Sequence, residues 1–380
     1  MKFIHTADWQ LGAAFRQVPG DAGARLRAAR LEVIERIGAV VGERQAEFIL
    51  LAGDIFDSHI VSHSVIAEAC TKLRRLPVPI YIIPGNHDYG EGIESIYQGR
   101  AWSTHRPENV HLLLEPTAKP VLEGRAVILP CPMLQRHIYS DPTAHLTPVM
   151  GINLAPNAIR IGLAHGTVIG FESEDDEASP NVIDPVVVER AQLDYLALGD
   201  WHGTRLVTDR AWYSGTPEPD RFKDNNPGNV LLVEIDGPKA TPKVEPIAVA
   251  HYSWLNREAT LLSNADVTGL ESSLESVAHP DRTLLRLVLQ GSLNLENHTR
   301  LGKLTDRAGE RFFHLRLEGE GVLATPGEDE IAAMSSDAIV ARVINRLRER
   351  IAANNPQAAA ARVGLQMLHR WIAEEKGAGL

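Results

Sequence analysis

Cysteine is nearly absent from this 380-residue chain, which has only Cys70 and Cys131. Two thiols in a chain this long make neither a disulfide framework nor a thiolate metal cluster, so both read as core thiols, and any metal must rest on His and carboxylates. No apolar run approaches the roughly 18 residues that cross a bilayer, and Met1-Lys2 leads into Phe3-Ile4-His5 without a basic-then-apolar leader. The expected location is cytoplasmic, with no membrane partner. The chain lacks a Gly-x-Ser-x-Gly elbow and a Gly-x-x-x-x-Gly-Lys loop, which argues against a serine hydrolase or an ATPase. Positive charge is short too: 38 Lys and Arg face 49 Asp and Glu, a net charge of -11. Such a balance by itself argues against a protein that coats nucleic acid through a general basic surface. The deficit is uneven, because residues 336–380 carry seven Lys and Arg against four Asp and Glu, leaving -14 on residues 1–335.

What is present is the composition of a folded soluble chain, 44% hydrophobic and 23% charged, long enough for two or three domains. Apolar, branched runs of strand length recur at Phe3 to Ala7, Phe48 to Ala52, Val78 to Ile83, Val127 to Leu129, Ile159 to Ala164, Tyr195 to Leu198 and Val230 to Ile235. Between the first three lie helical stripes, Leu26, Val33, Ile34, Ile37, Val40 and Val41, then Val65, Ile66, Ala69 and Leu73. Nearly continuous apolar strands suit burial on both faces by helices or a second sheet, so a layered α/β core is expected over residues 1–250.

Beyond residue 250 the pattern predicts a small β-α-β-α-β domain over 251–320. Its signals are Ala259 to Leu262, a helix near Leu270 to Val277, Thr283 to Leu289, a helix near Leu301 to Ala308, and Phe312 to Leu317. Glu318 to Asp329, rich in Gly and acid, reads as a linker. A helix from about Ser336 to Ile351, stopped by Asn354-Asn355-Pro356, and a second from Gln357 to Ala373 predict a helical hairpin over 331–380.

Chemistry-bearing residues fall at the carboxyl ends of the predicted strands. Asp8 and Gln10 follow the first, Gly53-Asp54 the second, Gly85-Asn86-His87-Asp88 the third, His165 the fifth and Asp200-Trp201-His202 the sixth. Ligands bind beside those ends in α/β sheets, so loops distant in sequence converge. Any one of these residues alone is more simply a cap, a turn former or a bonded core histidine. Together, Asp, Asn and His make a mixed oxygen and nitrogen set suited to Mn, Fe, Zn or Mg, and a two-metal centre follows.

The series Asp8-x-Gln10, Gly53-Asp54-Ile55-Phe56-Asp57, Gly85-Asn86-His87-Asp88, Ala164-His165-Gly166 and Gly199-Asp200-Trp201-His202 resembles the five motifs of the calcineurin-like metallophosphoesterases. Within them, His5-Thr6-Ala7-Asp8-Trp9 and Tyr213-Ser214-Gly215-Thr216-Pro217-Glu218 resemble the SbcD and Mre branch, DNA repair exonucleases that work with an SMC-like ATPase. The resemblance implies two packed sheets flanked by helices, with a small α+β capping domain; the hairpin reads either as a terminal element packed on its own domain or as a docking segment for a partner. It implies two divalent ions, Mn being expected and Mg or Zn the alternatives. Asp8, Gln10, Asp54 and His202 would hold one ion; Asp54, Asn86, His165 and Asp200 would hold the other, with Asp54 bridging. His87 would face the scissile phosphate as the catalytic group, with Asp88 holding its ring.

Two positions depart from the family pattern, Gln10 and Asp200, where histidines are usual. A neutral amide oxygen in place of one and a carboxylate in place of the other shift the site toward harder ions, with the first metal held more loosely than the second. The implied function is hydrolysis of DNA phosphodiester bonds, in partnership with a coiled-coil ATPase of the SbcC type docked on the C-terminal helices, and as a homodimer by the same analogy. The rivals are a phosphodiesterase of small molecules such as cyclic nucleotides, and a scaffold with an altered metal site. Trp9 and Trp201 are expected to pack in the core rather than stack on a base. His59 and His63 are expected to be exposed and inert, and the acidic run Glu172, Glu174, Asp175, Asp176 and Glu177 to be a solvated loop.

Overall fold

In the computed structural model the chain divides into two compact units, Met1–Ser253 and Trp254–Leu380. The structure describes residues 1–153, 156–171, 180–324, 338–352, 360–361, 363–365 and 367–368.

The strands of the first unit are β1 (Lys2–Thr6), β2 (Ile49–Ala52), β3 (Ile80–Ile83), β4 (Val110–Leu112), β5 (Lys119–Val121), β6 (Ala126–Cys131), β7 (Ile159–His165), β8 (Thr167–Val168), β9 (Val182–Ile183), β10 (Tyr195–Gly199), β11 (Arg205–Thr208), β12 (Ala211–Tyr213), β13 (Asn229–Glu234) and β14 (Lys243–Ala248). They build two six-stranded sheets, in the orders β14-β13-β1-β2-β3-β4 and β11-β12-β10-β7-β6-β5. The stretches β1 to β4 and β6-β7-β10-β12 are parallel. Their carboxyl ends therefore lie along one edge of each sheet. Every predicted apolar run appears as a strand; the short edge strands, such as β5 and β11, carried no pattern.

Alternation along the strands explains the continuous apolar runs. Ile4, Ile49, Leu51 and Ile82 pack against α1 (Gly20–Arg44), α2 (His63–Leu73) and α3 (Arg100–His105). Their neighbours Phe3, Leu50 and Ile83 face the second sheet, meeting Ile128, Ile161 and Tyr195. The outer face of that second sheet, with Val127, Leu129 and Leu196, is covered in part by Val187 and Val188 of α4 (Val187–Arg190). A strand with apolar partners on both faces reads as unbroken hydrophobicity. The predicted stripe of α1 is buried throughout, and α2 starts at Ser62, whose side chain accepts from the Val65 amide. Cys70 and Cys131 are free and buried in these layers.

The second unit carries β15 (Ser253–Leu261), α5 (Asn264–Glu275), β16 (Thr283–Leu293), α6 (Leu295–Arg311), β17 (His314–Ala324) and α7 (Ala338–Ala352). The strands form one sheet in the order β15-β16-β17. This is the predicted β-α-β-α-β order, with one correction. The first half of the supposed linker, Glu318 to Ala324, is strand, paired in parallel with β16 as far as Leu293↔Ala324. The glycines that suggested a linker accommodate a bulge between the Val288↔Glu318 and Gln290↔Gly321 pairs. Ser336, Asn354-Asn355-Pro356, Arg362, Arg370 and the acidic run of residues 172–177 lie outside the described residues.

Candidate metal centre

All five motif loops begin within three residues of a strand's carboxyl end, and four of the candidate ligands sit in left-handed backbone: Asp8 (φ 54°), Gln10 (φ 49°), Asp54 (φ 55°) and Asp200 (φ 99°). That conformation is uncommon for residues other than glycine and costs conformational energy, which clusters at functional sites. Here it turns each loop abruptly off its strand.

The two sheets meet at this edge. The Nδ1 of His165, at the end of β7, hydrogen-bonds across to the Ala52 carbonyl at the end of β2, at 2.8 Å. The Asp200 amide donates to both carboxylate oxygens of Asp8, at 3.1 and 3.2 Å. Only glycine allows so close an approach. A Cβ on Gly199 would sit 1.9 Å from the Ala52 carbonyl oxygen, and one on Gly53 would sit 2.4 Å from the His165 ring.

The result is a buried cluster in which donor atoms of Asp8, Asp54 and His165 lie within 4.8 Å of one another. Around it, Asn86 Oδ1 is 3.1 Å from His165 Nε2, an Asp200 oxygen is 3.8 Å from the same atom, and Gln10 Nε2 donates to Asp54 at 2.8 Å. His202 acts on Asp8 by charge, while its Nδ1 is 3.0 Å from an Asp220 oxygen. Six of the seven predicted ligands thus touch the cluster or form it, and His202 lies within electrostatic reach of Asp8. Gln10 faces the central carboxylate as a donor, so it adds no negative charge there.

Burial pushes the Asp8 carboxyl up to about 7. Burial alone would depress His165, but the charges of Asp54, Asp8 and Asp200 outweigh it and raise the ring to about 9. Concentrated, desolvated acid of this kind is relieved by a cation, and oxygen donors with imidazole nitrogen suit a divalent one. The residues present therefore fit the metals that the motifs imply. Bound there, divalent ions lower the pKa of a coordinated water and neutralise developing charge on a phosphate.

His87 stands beside the cluster, its amide donating to Asp54 at 2.9 Å. The structure corrects its expected support. Asp88 does not hold the ring; its carboxylate is taken up by the amides of Gly85, Ile55 and Phe56 and by the Tyr97 hydroxyl. Asp88 is instead a buried clasp that shapes the loop. The ring's acceptor is the Asp57 carbonyl, 2.7 Å from Nδ1. A carbonyl only accepts, so Nδ1 carries the hydrogen and Nε2, which has no partner among the described residues, is left for substrate.

Several supporting residues gave no local signal. Asp220 holds His202, and Arg30, 1% exposed, donates to the carbonyls of Trp9 and Glu218 and pairs with Asp220 at 3.8 Å. Thr167 donates to Asp200 at 2.6 Å. A buried arginine at the right helical phase of α1 was the one clue available. Trp9 packs in the core as expected, with its Nε1 donating to Thr6. His63 is exposed, but His59 is not the exposed loop residue expected: its ring lies edge-on to Tyr89 and its Nδ1 accepts from Ile96.

The chain resembles known proteins in the same terms. A curated relative, the uncharacterized metallophosphoesterase YhaO of Bacillus subtilis, is 25% identical over 313 residues, 77% of this chain and 72% of that protein. Among solved structures, TT1561 of Thermus thermophilus aligns at 14% identity with a TM-score of 0.41, over 65% of this chain and 98% of the other. Purple acid phosphatase PPD1 of yellow lupin (Lupinus luteus) aligns at 12% identity and 0.40, over 66% of this chain and 51% of the other. The family model for calcineurin-like phosphoesterases matches residues 1–204, from β1 through the last of the five motifs. With that match resting on the loops that build the buried cluster, the chain belongs to the calcineurin-like phosphoesterase family.

Proposed function

We propose that this phosphoesterase hydrolyses DNA phosphodiester bonds, loaded with Mn, as the nuclease subunit of a complex whose ATPase is a separate SMC-like coiled-coil protein. The observation that carries the reading is the C-terminal helical element. α7 presents Arg342, Arg346, Arg348 and Arg350 at its surface. Its apolar face, with Val340, Ile344 and Leu347, packs on Leu365 and Leu368. Ile339, Val343, Val363 and Met367 remain exposed, at 75, 44, 45 and 70%. A basic helix with exposed Val343, and Val363 and Met367 exposed beside it, suits a protein partner, and phosphoester chemistry in the first unit does not require it. The charge supports the same conclusion: residues 1–335 carry -14, so a partner or a confined basic site must supply most phosphate contacts for a DNA duplex.

The acidic body favours a second reading, hydrolysis of small phosphodiesters. Incubation with Mn and bis-p-nitrophenyl phosphate, then with end-labelled DNA, separates the two. Cleavage of both substrates by wild type and of neither by His87→Ala is expected. Ester cleavage alone supports the second reading, and no turnover by wild type, with no difference from His87→Ala, leaves a scaffold. Removing residues 331–380 should abolish capture of the ATPase.

A further inference from the structure

Trp201 stands between Asp200 and His202 and packs, partly buried as expected, against the apolar cluster on the outer face of the second sheet, but its other face meets cations. Its Nε1–H is buried without a hydrogen-bond partner among the described residues. The Lys223 ammonium lies 4.4 Å from the ring centroid and the Arg205 guanidinium 5.4 Å from it. Arg205 also lies 3.9 Å from the centroid of Phe171, which meets Trp201 edge-on. Both cations are exposed, and neither has a carboxylate partner among the described residues. Both also stand on segments tied to the metal centre. Asp220, three residues before Lys223, holds His202, and Arg221 Nη2 is 3.0 Å from the same imidazole nitrogen.

We propose that Trp201 serves as an anchor for Arg205 and Lys223, and that these two cations bind the phosphate adjacent to the scissile one in a polymeric phosphodiester. The proposal rests on the DNA reading for its substrate class. Cation–π contact holds two otherwise mobile side chains at the rim, so less conformational freedom is lost when the phosphate arrives. It also gives an acidic protein a local positive site next to its metals, where a general basic surface is missing. A ring already occupied by two cations has no need to stack on a base. Trp201 then contributes contact with the backbone and no sequence preference.

The test compares two p-nitrophenyl phosphodiesters, one with a single phosphate and one extended by a nucleotide that adds a second phosphate. The readout is the ratio of kcat/KM for the longer over the shorter. Wild type should prefer the longer by about tenfold, through KM, as expected for two charge-assisted contacts at an exposed site. Arg205→Ala/Lys223→Ala should bring the ratio to about one, and Arg205→Lys/Lys223→Arg should restore most of it. Raising the salt concentration should erode the wild-type preference and leave the Ala variant flat. A wild-type ratio of one, or a preference that survives the double Ala substitution, overturns the proposal. A normal response here, with no cleavage of long DNA by wild type, would overturn only the DNA reading.

Discussion

At the scale of single residues, His87 shows how one hydrogen bond narrows what a side chain can do. With Nδ1–H given to the Asp57 carbonyl, Nε2 donates a proton only when the ring is cationic, which fits a group that protonates a leaving oxygen or faces a charged transition state. His87→Ala should lower kcat on bis-p-nitrophenyl phosphate by roughly 10²- to 10⁴-fold, while metal content measured by mass spectrometry stays at the wild-type value. His5 tells the opposite story, although it opens the first motif. Its Nε2 is 3.1 Å from the Leu198 carbonyl and its Nδ1 is 2.9 Å from the Tyr195 hydroxyl. Burial lowers its pKa to about 3. The unfolded chain binds a proton there below the ordinary value of 6.5, whereas the folded chain does not. The contribution of His5 to stability is therefore complete above pH 6.5 and lost as pH falls toward 3. In urea melts, that loss should reach about 1.4 kcal/mol one unit below the unfolded pKa, and His5→Gln should remove this part of the pH dependence.

At the scale of elements, strand termini decide whether a site exists. β7 and β10 in one sheet must come within hydrogen-bonding distance of β1 and β2 in the other, and Gly199 is where that approach is tightest. Gly199→Ala should shift the Ala52 carbonyl, destabilise the protein by about 1–3 kcal/mol, and weaken metal binding in a Mn titration beyond any effect of a conservative change on an exposed loop. The second unit depends on more local devices. The Ser263 and Asp266 capping box opens α5, so Ser263→Ala should cost about 1 kcal/mol of stability and leave phosphoester hydrolysis at the wild-type rate.

For the whole molecule, the metal centre is also a structural element. Asp8 and Asp54, in loops from two strands of one sheet, cluster with His165 at the end of a strand in the other. A divalent ion bound there favours the folded state by mass action, by about 2.7 kcal/mol at a hundred times its dissociation constant. Thermal melts should therefore drop on chelation and recover with Mn. Asp54→Ala should melt at the same temperature in both conditions, and a metal-independent Tm for wild type would contradict the assignment.

Much of this was legible in the amino-acid order. Apolar runs gave β1, β2, β3, β6, β7, β10 and β13 because strands with apolar partners on both faces show it in nearly every residue. Asp8, Asp54, Asn86, His165, Asp200 and His202 stood out because ligand-type side chains followed five of the seven runs. Tertiary structure alone decided the rest. The Asp57 carbonyl under His87, Asp220 behind His202, Arg30 between them and the cations on Trp201 all arise from packing between segments far apart in the chain. A backbone carbonyl has no signature in a sequence, and a charged side chain shows its purpose only when its neighbours are known. Periodicity is a local property that a sequence carries in full, whereas the partners of a polar atom are fixed by the fold that brings them together.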